Sequence, residues 1–176
     1  MAGLSAAHKK IVDMVLFAVL GGVLVASIFA FQALPNIHPL GMLIMAYTVV
    51  FGWRALIPTY VFVILYGSFY GFPQWWIPYL YIWAVLVAIT MALPKRMPKP
   101  AAAAVYPIVC ALFGLMYGTL YAPAQAIMYG YSFQTTLKWI AAGLPFDAIH
   151  AAGNFGMGLL ILPVSELMKK LYAKMY

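Results

Sequence analysis

Residues 9–31 read KKIVDMVLFAVLGGVLVASIFAF: two lysines, then an apolar run from Ile11 to Phe31 carrying one charge, Asp13. A helix needs roughly 20 apolar residues to cross the hydrocarbon of a bilayer, and this run meets that length. Lysines ahead of an apolar run also suit a secretory signal. This run, however, outlasts a signal core of about 7–15 residues, and no small-residue cleavage site follows it. A mature helix is therefore expected over about 11–33. It ends at Leu34-Pro35-Asn36, because proline lacks an amide donor and disfavours helix at the residue before it.

The same solvent argument extends to the whole chain. Of 176 residues, 66% are apolar and 7% are charged, against about 25% charged in a soluble domain. Three acidic side chains cannot cover a water-facing surface of this size, which sets aside a soluble all-α domain with an outsized core. Further apolar runs over about 39–52 and 55–70 are separated only by Trp53-Arg54, so they read as a tight hairpin. Gly71-Phe72-Pro73-Gln74 breaks the chain before a run over about 75–93. The polar linker Pro94-Lys95-Arg96-Met97-Pro98-Lys99-Pro100 precedes a fifth run over about 102–122. Pro123 and Gly130 open a less regular stretch, in which Ser132–Ala142 is expected as an interfacial helix. A sixth helix is expected over about 145–170, with Pro145 as its favoured first residue. The fold class expected is an all-α integral membrane bundle: one domain, residues 1–176, with six transmembrane helices.

Orientation follows from the cations. With the N-terminus inside, the inner segments hold Lys9, Lys10, Arg54, Lys95, Arg96, Lys99, Lys169, Lys170 and Lys174, and the outer segments hold only Lys138. That asymmetry places both termini in the cytoplasm. The net charge of +7 is thereby read as a topology signal facing lipid headgroups, not as a nucleic-acid footprint. Cys110 is the one cysteine, so no intrachain disulfide can form.

Three features carry candidate function. Ala18, Gly22, Ala26 and Ala30 recur at four-residue intervals on the first helix, a stripe that permits close helix approach to this chain or to a partner. In the segment Gly143–Gly156, Asp147, His150 and Asn154 stand at i, i+3, i+7 and share one helix face. Ionisable groups at membrane depth are costly and usually face a cavity or partner. Asp147 could alternatively complement a helix N-terminus set by Pro145. His38, beside a Pro-bounded outer turn, is the other histidine considered with them.

Aromatic residues crowd the expected outer turns. Tyr66, Phe69, Tyr70, Phe72, Trp75, Trp76, Tyr79 and Tyr81 flank one turn; Tyr121, Tyr129, Tyr131 and Trp139 flank another. Part of this is an interfacial belt. The clustering also suits a ligand pocket closed by loops, with Trp75 and Tyr79 as its expected contacts. There is no Ser/His/Asp ordering, no phosphate loop, no redox cysteine pair and no complete metal-ligand set, so catalytic and metal roles are not expected.

Taken together, these features make the chain similar to the substrate-binding S component of an energy-coupling factor (ECF) vitamin transporter. The similarity rests on a small six-helix chain, the stripe with Ala26-Ser27-Ile28-Phe29-Ala30, the Asn36–Gly52 segment and the polar Gly143–Gly156 segment. It implies a multi-pass protein of a prokaryotic-type plasma membrane that captures a vitamin from outside. Its partners would be a transmembrane scaffold subunit and two ATPases, with no cofactor or ATP on this chain itself. The stripe would form the scaffold interface, and Asp147, His150, Asn154, Trp75, Tyr79 and His38 would hold the vitamin. Within the family the pattern most resembles the cobalamin-specific type. The competing classes are an S component for another micronutrient, a stand-alone secondary transporter or channel, and a membrane-embedded enzyme. A secondary transporter often shows two similar halves, and no internal repeat is present.

Overall fold

A computed structural model describes residues 6–175. Residues 1–5 and 176, the extreme termini whose sidedness the charge rule addresses, lie outside the described residues. The elements are α1 (Ala6–Phe31), α2 (Leu40–Phe51), α3 (Leu56–Tyr70), α4 (Tyr79–Ala92), α5 (Lys99–Leu115), α6 (Tyr117–Tyr129), α7 (Phe133–Gly158) and α8 (Ile161–Lys174). Short 3-10 turns, Gly52–Ala55 and Gln74–Trp76, lead into α3 and α4. No strand occurs among the described residues.

Contacts along α1 fix the directions of the next two helices. The Tyr47 hydroxyl donates to the Leu20 carbonyl and Phe51 packs edge-on against Phe17, so α2 runs antiparallel to α1. Past Gly52 the order inverts: Arg54 pairs with Asp13, Val61 faces Gly21, and Phe69 packs on Phe29. The chain reverses at Gly52 itself, whose φ of 61° is a conformation that costs glycine little and other residues more. α2 and α3 are therefore the two arms of a hairpin around Trp53-Arg54.

Four helical stretches among the described residues are long and apolar enough to cross a membrane: Ala6–Phe31, Leu40–Tyr70, Gln74–Ala92 and Lys99–Tyr129. α7 and α8, bent by 46°, add a fifth if taken as one span. The second stretch is the hairpin, so its length is divided between arms of 12 and 15 residues. α2 is the central element, burying Leu40, Ile44, Met45, Ala46 and Tyr47 against the rest of the bundle. α1 does the reverse and presents Ile11, Met14, Val15, Val19 and Val23 outward. A large exposed apolar surface of this kind marks a face for a membrane or a partner.

The C-terminal third departs from the sequence expectation. The helix expected to begin at Pro145 begins at Phe133, so the interfacial helix expected over Ser132–Ala142 is its first half. Ser132 supplies the reason: its hydroxyl accepts the Thr135 amide at 3.2 Å and caps the helix there. Pro145 is carried inside α7, as Pro123 is carried inside α6, which extends the expected 102–122 helix to Tyr129. Membrane helices tolerate such prolines because neighbouring groups re-satisfy the freed backbone. The expected 145–170 helix also breaks after Gly158, and α8 turns away from α7.

Candidate binding chamber

Three sets of aromatic residues recur at four-residue spacing: Phe62, Tyr66 and Tyr70 on α3; Tyr79 and Trp83 on α4, with Trp75 just before it; Phe113 and Tyr117 across the α5–α6 junction, then Tyr121. Residues four apart on a helix lie on one face, so each set forms a ridge. The ridges meet. Tyr66 contacts Trp75 with ring centres 5.5 Å apart, Trp83 contacts Tyr79 at 5.4 Å, and Trp83 contacts Tyr117 at 6.0 Å. Offset and edge-on pairs of this kind add about 0.5–1.5 kcal/mol each beyond area burial.

Between the ridges lies a cavity of about 490 Å³ lined by Tyr66, Tyr70, Trp75, Tyr79, Tyr117 and Tyr121. Its rim is held by backbone carbonyls: Tyr121 donates its hydroxyl to the Trp75 carbonyl, and Tyr81 to that of Leu120, both at 2.6 Å. These bonds fasten the turn before α4 to α6. Tyr117 and Tyr121 are also walls of a second cavity, about 280 Å³, which Asn36, Trp139, Gly143, Phe146, Asp147 and His150 help to line.

Asp147, His150 and Asn154 all turn inward from α7 and are buried. Asp147 does not complement a helix N-terminus at Pro145, since α7 is already three turns old there. Its carboxylate instead accepts the Gly118 amide at 3.0 and 3.2 Å, beside the junction between α5 and α6. A Cβ on Gly118 would stand 2.5 Å from an Asp147 oxygen, so only glycine lets this amide approach. His150 packs edge-on against Tyr117 at 4.9 Å and His38 at 5.1 Å. Burial pushes His38, on the connector before α2, below the ordinary imidazole value.

Asn154 sits deeper. It donates to the Cys110 carbonyl at 3.2 Å, faces Gly41, and lines neither cavity, so it pins α2, α5 and α7 together. Its Oδ1, His38 Nδ1 and Trp83 Nε1 are buried polar atoms that find no hydrogen-bond partner among the described residues. Trp75 and Tyr79 line the larger cavity, and His38 reaches the smaller one only through His150. Tyr117, absent from the sequence candidates, is the wall common to both cavities with Tyr121. The signal that could have found it is the four-residue step from Phe113 through Tyr117 to Tyr121.

The first-helix stripe faces away from all of this. Ala18, Ala26 and Ala30 are exposed, and a side chain at Gly22 would meet nothing within 4 Å. The neighbouring Gly21 is the packing glycine, pressed against Val61 and the Pro58 carbonyl. Among the described residues no group of three or more His, Cys, Asp or Glu could hold a metal.

Fold and site together define an all-helical protein, with several helices long and apolar enough to cross a membrane and an aromatic chamber at one end. Compared with known proteins, the chain matches no family model, no curated protein and no solved structure.

Proposed function

We propose that this chain is the substrate-capturing S component of an ECF-type importer, taking a vitamin-sized micronutrient into the aromatic chamber from outside the cell. The single observation that carries the reading is the placement of that chamber. It lies at the end of the bundle opposite Lys10, Arg54, Lys95, Lys99 and Lys169, which the contacts of α1, α3, α5 and α8 gather together. With the basic end in the cytoplasm, six crossings follow if each hairpin arm and the bent α7–α8 pair count as one. The chamber then opens outward. Few convergent polar groups in an aromatic cavity of this volume suit a small-molecule site.

The stripe of Ala18, Gly22, Ala26 and Ala30 is left free for the scaffold subunit, and ATP hydrolysis belongs to two partner ATPases. A channel reading is disfavoured by the inner half of the bundle. There the buried Thr48, Thr59, Thr90 and Ser165 hydroxyls each bond the carbonyl four residues back, so they are committed to their own helices. The two cavities suit a ring compound with a short side chain. Cobalamin, with its corrin macrocycle, would require the turn held by Tyr121 to swing away.

Two measurements test this reading. A cysteine replacing Gln74 should react with an impermeant thiol reagent on intact cells, and one replacing Lys95 should not; both positions are exposed. Affinity purification in mild detergent should recover a membrane scaffold and two ATPases. Reversed labelling would overturn the orientation, and recovery of the chain with no ATPase would overturn the ECF assignment.

A further inference from the structure

The chain has three carboxylates, and two are neutralised within it. Asp13 pairs with Arg54, and Glu166 pairs with Lys99 at 2.8 Å. Asp147 meets no cation among the described residues. Its partner is a single neutral amide, that of Gly118, although a carboxylate offers about four acceptor positions. His150, one turn along α7, has its ring against His38 and Tyr117 and forms no ion pair with it. His38, held below the usual imidazole value by burial, adds no positive charge at neutral pH. A buried charge is normally matched by an opposite one. Asp147 instead lines a cavity, and the required Gly118 holds it there.

The rest of that cavity favours the same sign. Tyr117, Tyr121 and Trp139 line the same cavity as the carboxylate, and aromatic faces attract cations. Tyr117 and Tyr121 also wall the larger chamber, which is lined by rings and carries no charged side chain. An anion would meet Asp147 and the ring faces unfavourably, and a neutral molecule would leave the carboxylate unmatched. Resting on the capture reading above, we infer that the captured molecule is a cation built on a flat ring. Its positive group is set against Asp147 and its ring lies among Tyr117, Tyr121 and Trp139.

The test uses the purified full-length chain in detergent and three small probes of one shape: benzamidine, benzamide and benzoate. Quenching of tryptophan fluorescence reads binding, since Trp75 and Trp139 line the two cavities. Benzamidine should quench saturably and bind at least tenfold more tightly than benzamide, with benzoate weaker still. Asp147→Asn should erase that preference and Asp147→Glu should keep part of it, each checked for an unchanged melting profile. Equal binding of benzamidine and benzamide by the wild-type chain, as expected if Asp147 carries a proton, overturns the inference. So does the absence of a saturable benzamidine response, and the wild-type comparison stands even if the variants misfold. The capture reading fails separately: a chain that retains a neutral or anionic molecule and still recovers its ATPases keeps that reading and loses this one.

Discussion

At one end of the bundle a 490 Å³ cavity is walled by five tyrosines and Trp75; at the other a 270 Å³ cavity lies among Thr48, Thr90, Tyr106, Lys95 and Lys169. Both are spaces between helix ends, yet their chemistry differs. At the basic end the Thr48 and Thr90 hydroxyls are committed to their own helices. Lys95 lies just past the C-terminal end of α4, where a cation complements the helix dipole. Both threonine hydroxyls and Lys95 are thus accounted for at the basic end. The aromatic end differs: among the described residues Asp147 meets no counter-charge, and Trp83 Nε1 and His38 Nδ1 have no hydrogen-bond partner. The difference teaches that volume alone does not mark a binding site here; unmatched chemistry does.

The comparison breaks most readily at Tyr117. Removing a ring that contacts Trp83, Tyr121 and His150 should cost about 3 kcal/mol of stability, by analogy with large-to-small core substitutions. Tyr117→Ala should also abolish benzamidine quenching, whereas Lys95→Ala combined with Lys169→Ala should leave the affinity within twofold. Equal losses from both would show that the two ends are not distinct. Thermal melting and fluorescence titration supply both readouts.

A smaller effect separates two glycines near the chamber. Gly118→Val drives a side chain into the Asp147 carboxylate and should cost about 1–3 kcal/mol. At Gly143 a Cβ meets nothing within 4 Å among the described residues, so Gly143→Ala should melt like the wild type while narrowing the smaller cavity and weakening probe binding. Adjacent glycines on α1 sharpen the same point for the outer surface. Gly21→Val should destabilise the α1–α3 contact by roughly 1–3 kcal/mol. Gly22→Val should leave melting within about 0.5 kcal/mol, as open surface substitutions do, and reduce only recovery of the scaffold subunit. A Gly22 variant that melts early would place an internal contact on that face.

Much of the fold was legible because apolar length and punctuation are local. Trp53-Arg54 between two apolar runs marked the hairpin, and the spacing of Asp147, His150 and Asn154 marked one inward face. The start of α7 differs from the expectation because Pro145 suits a first helical turn, whereas the cap that starts the helix is Ser132. Asn154 was grouped with the ligand contacts because spacing reports a shared face but not depth along it. The juxtaposition of His38 with His150, and of Tyr117 with Trp83, depends on how distant helices cross, which no local pattern encodes.

The central claim is that the aromatic chamber holds a small molecule. Native mass spectrometry of the chain, isolated in mild detergent from cells that express it, tests this most directly alongside a Tyr117→Leu variant that retains a folded melting transition. The account predicts a single adduct of vitamin-like mass on the wild-type chain that is lost from the variant. A wild-type chain carrying no adduct, or an adduct retained equally by both, would contradict it.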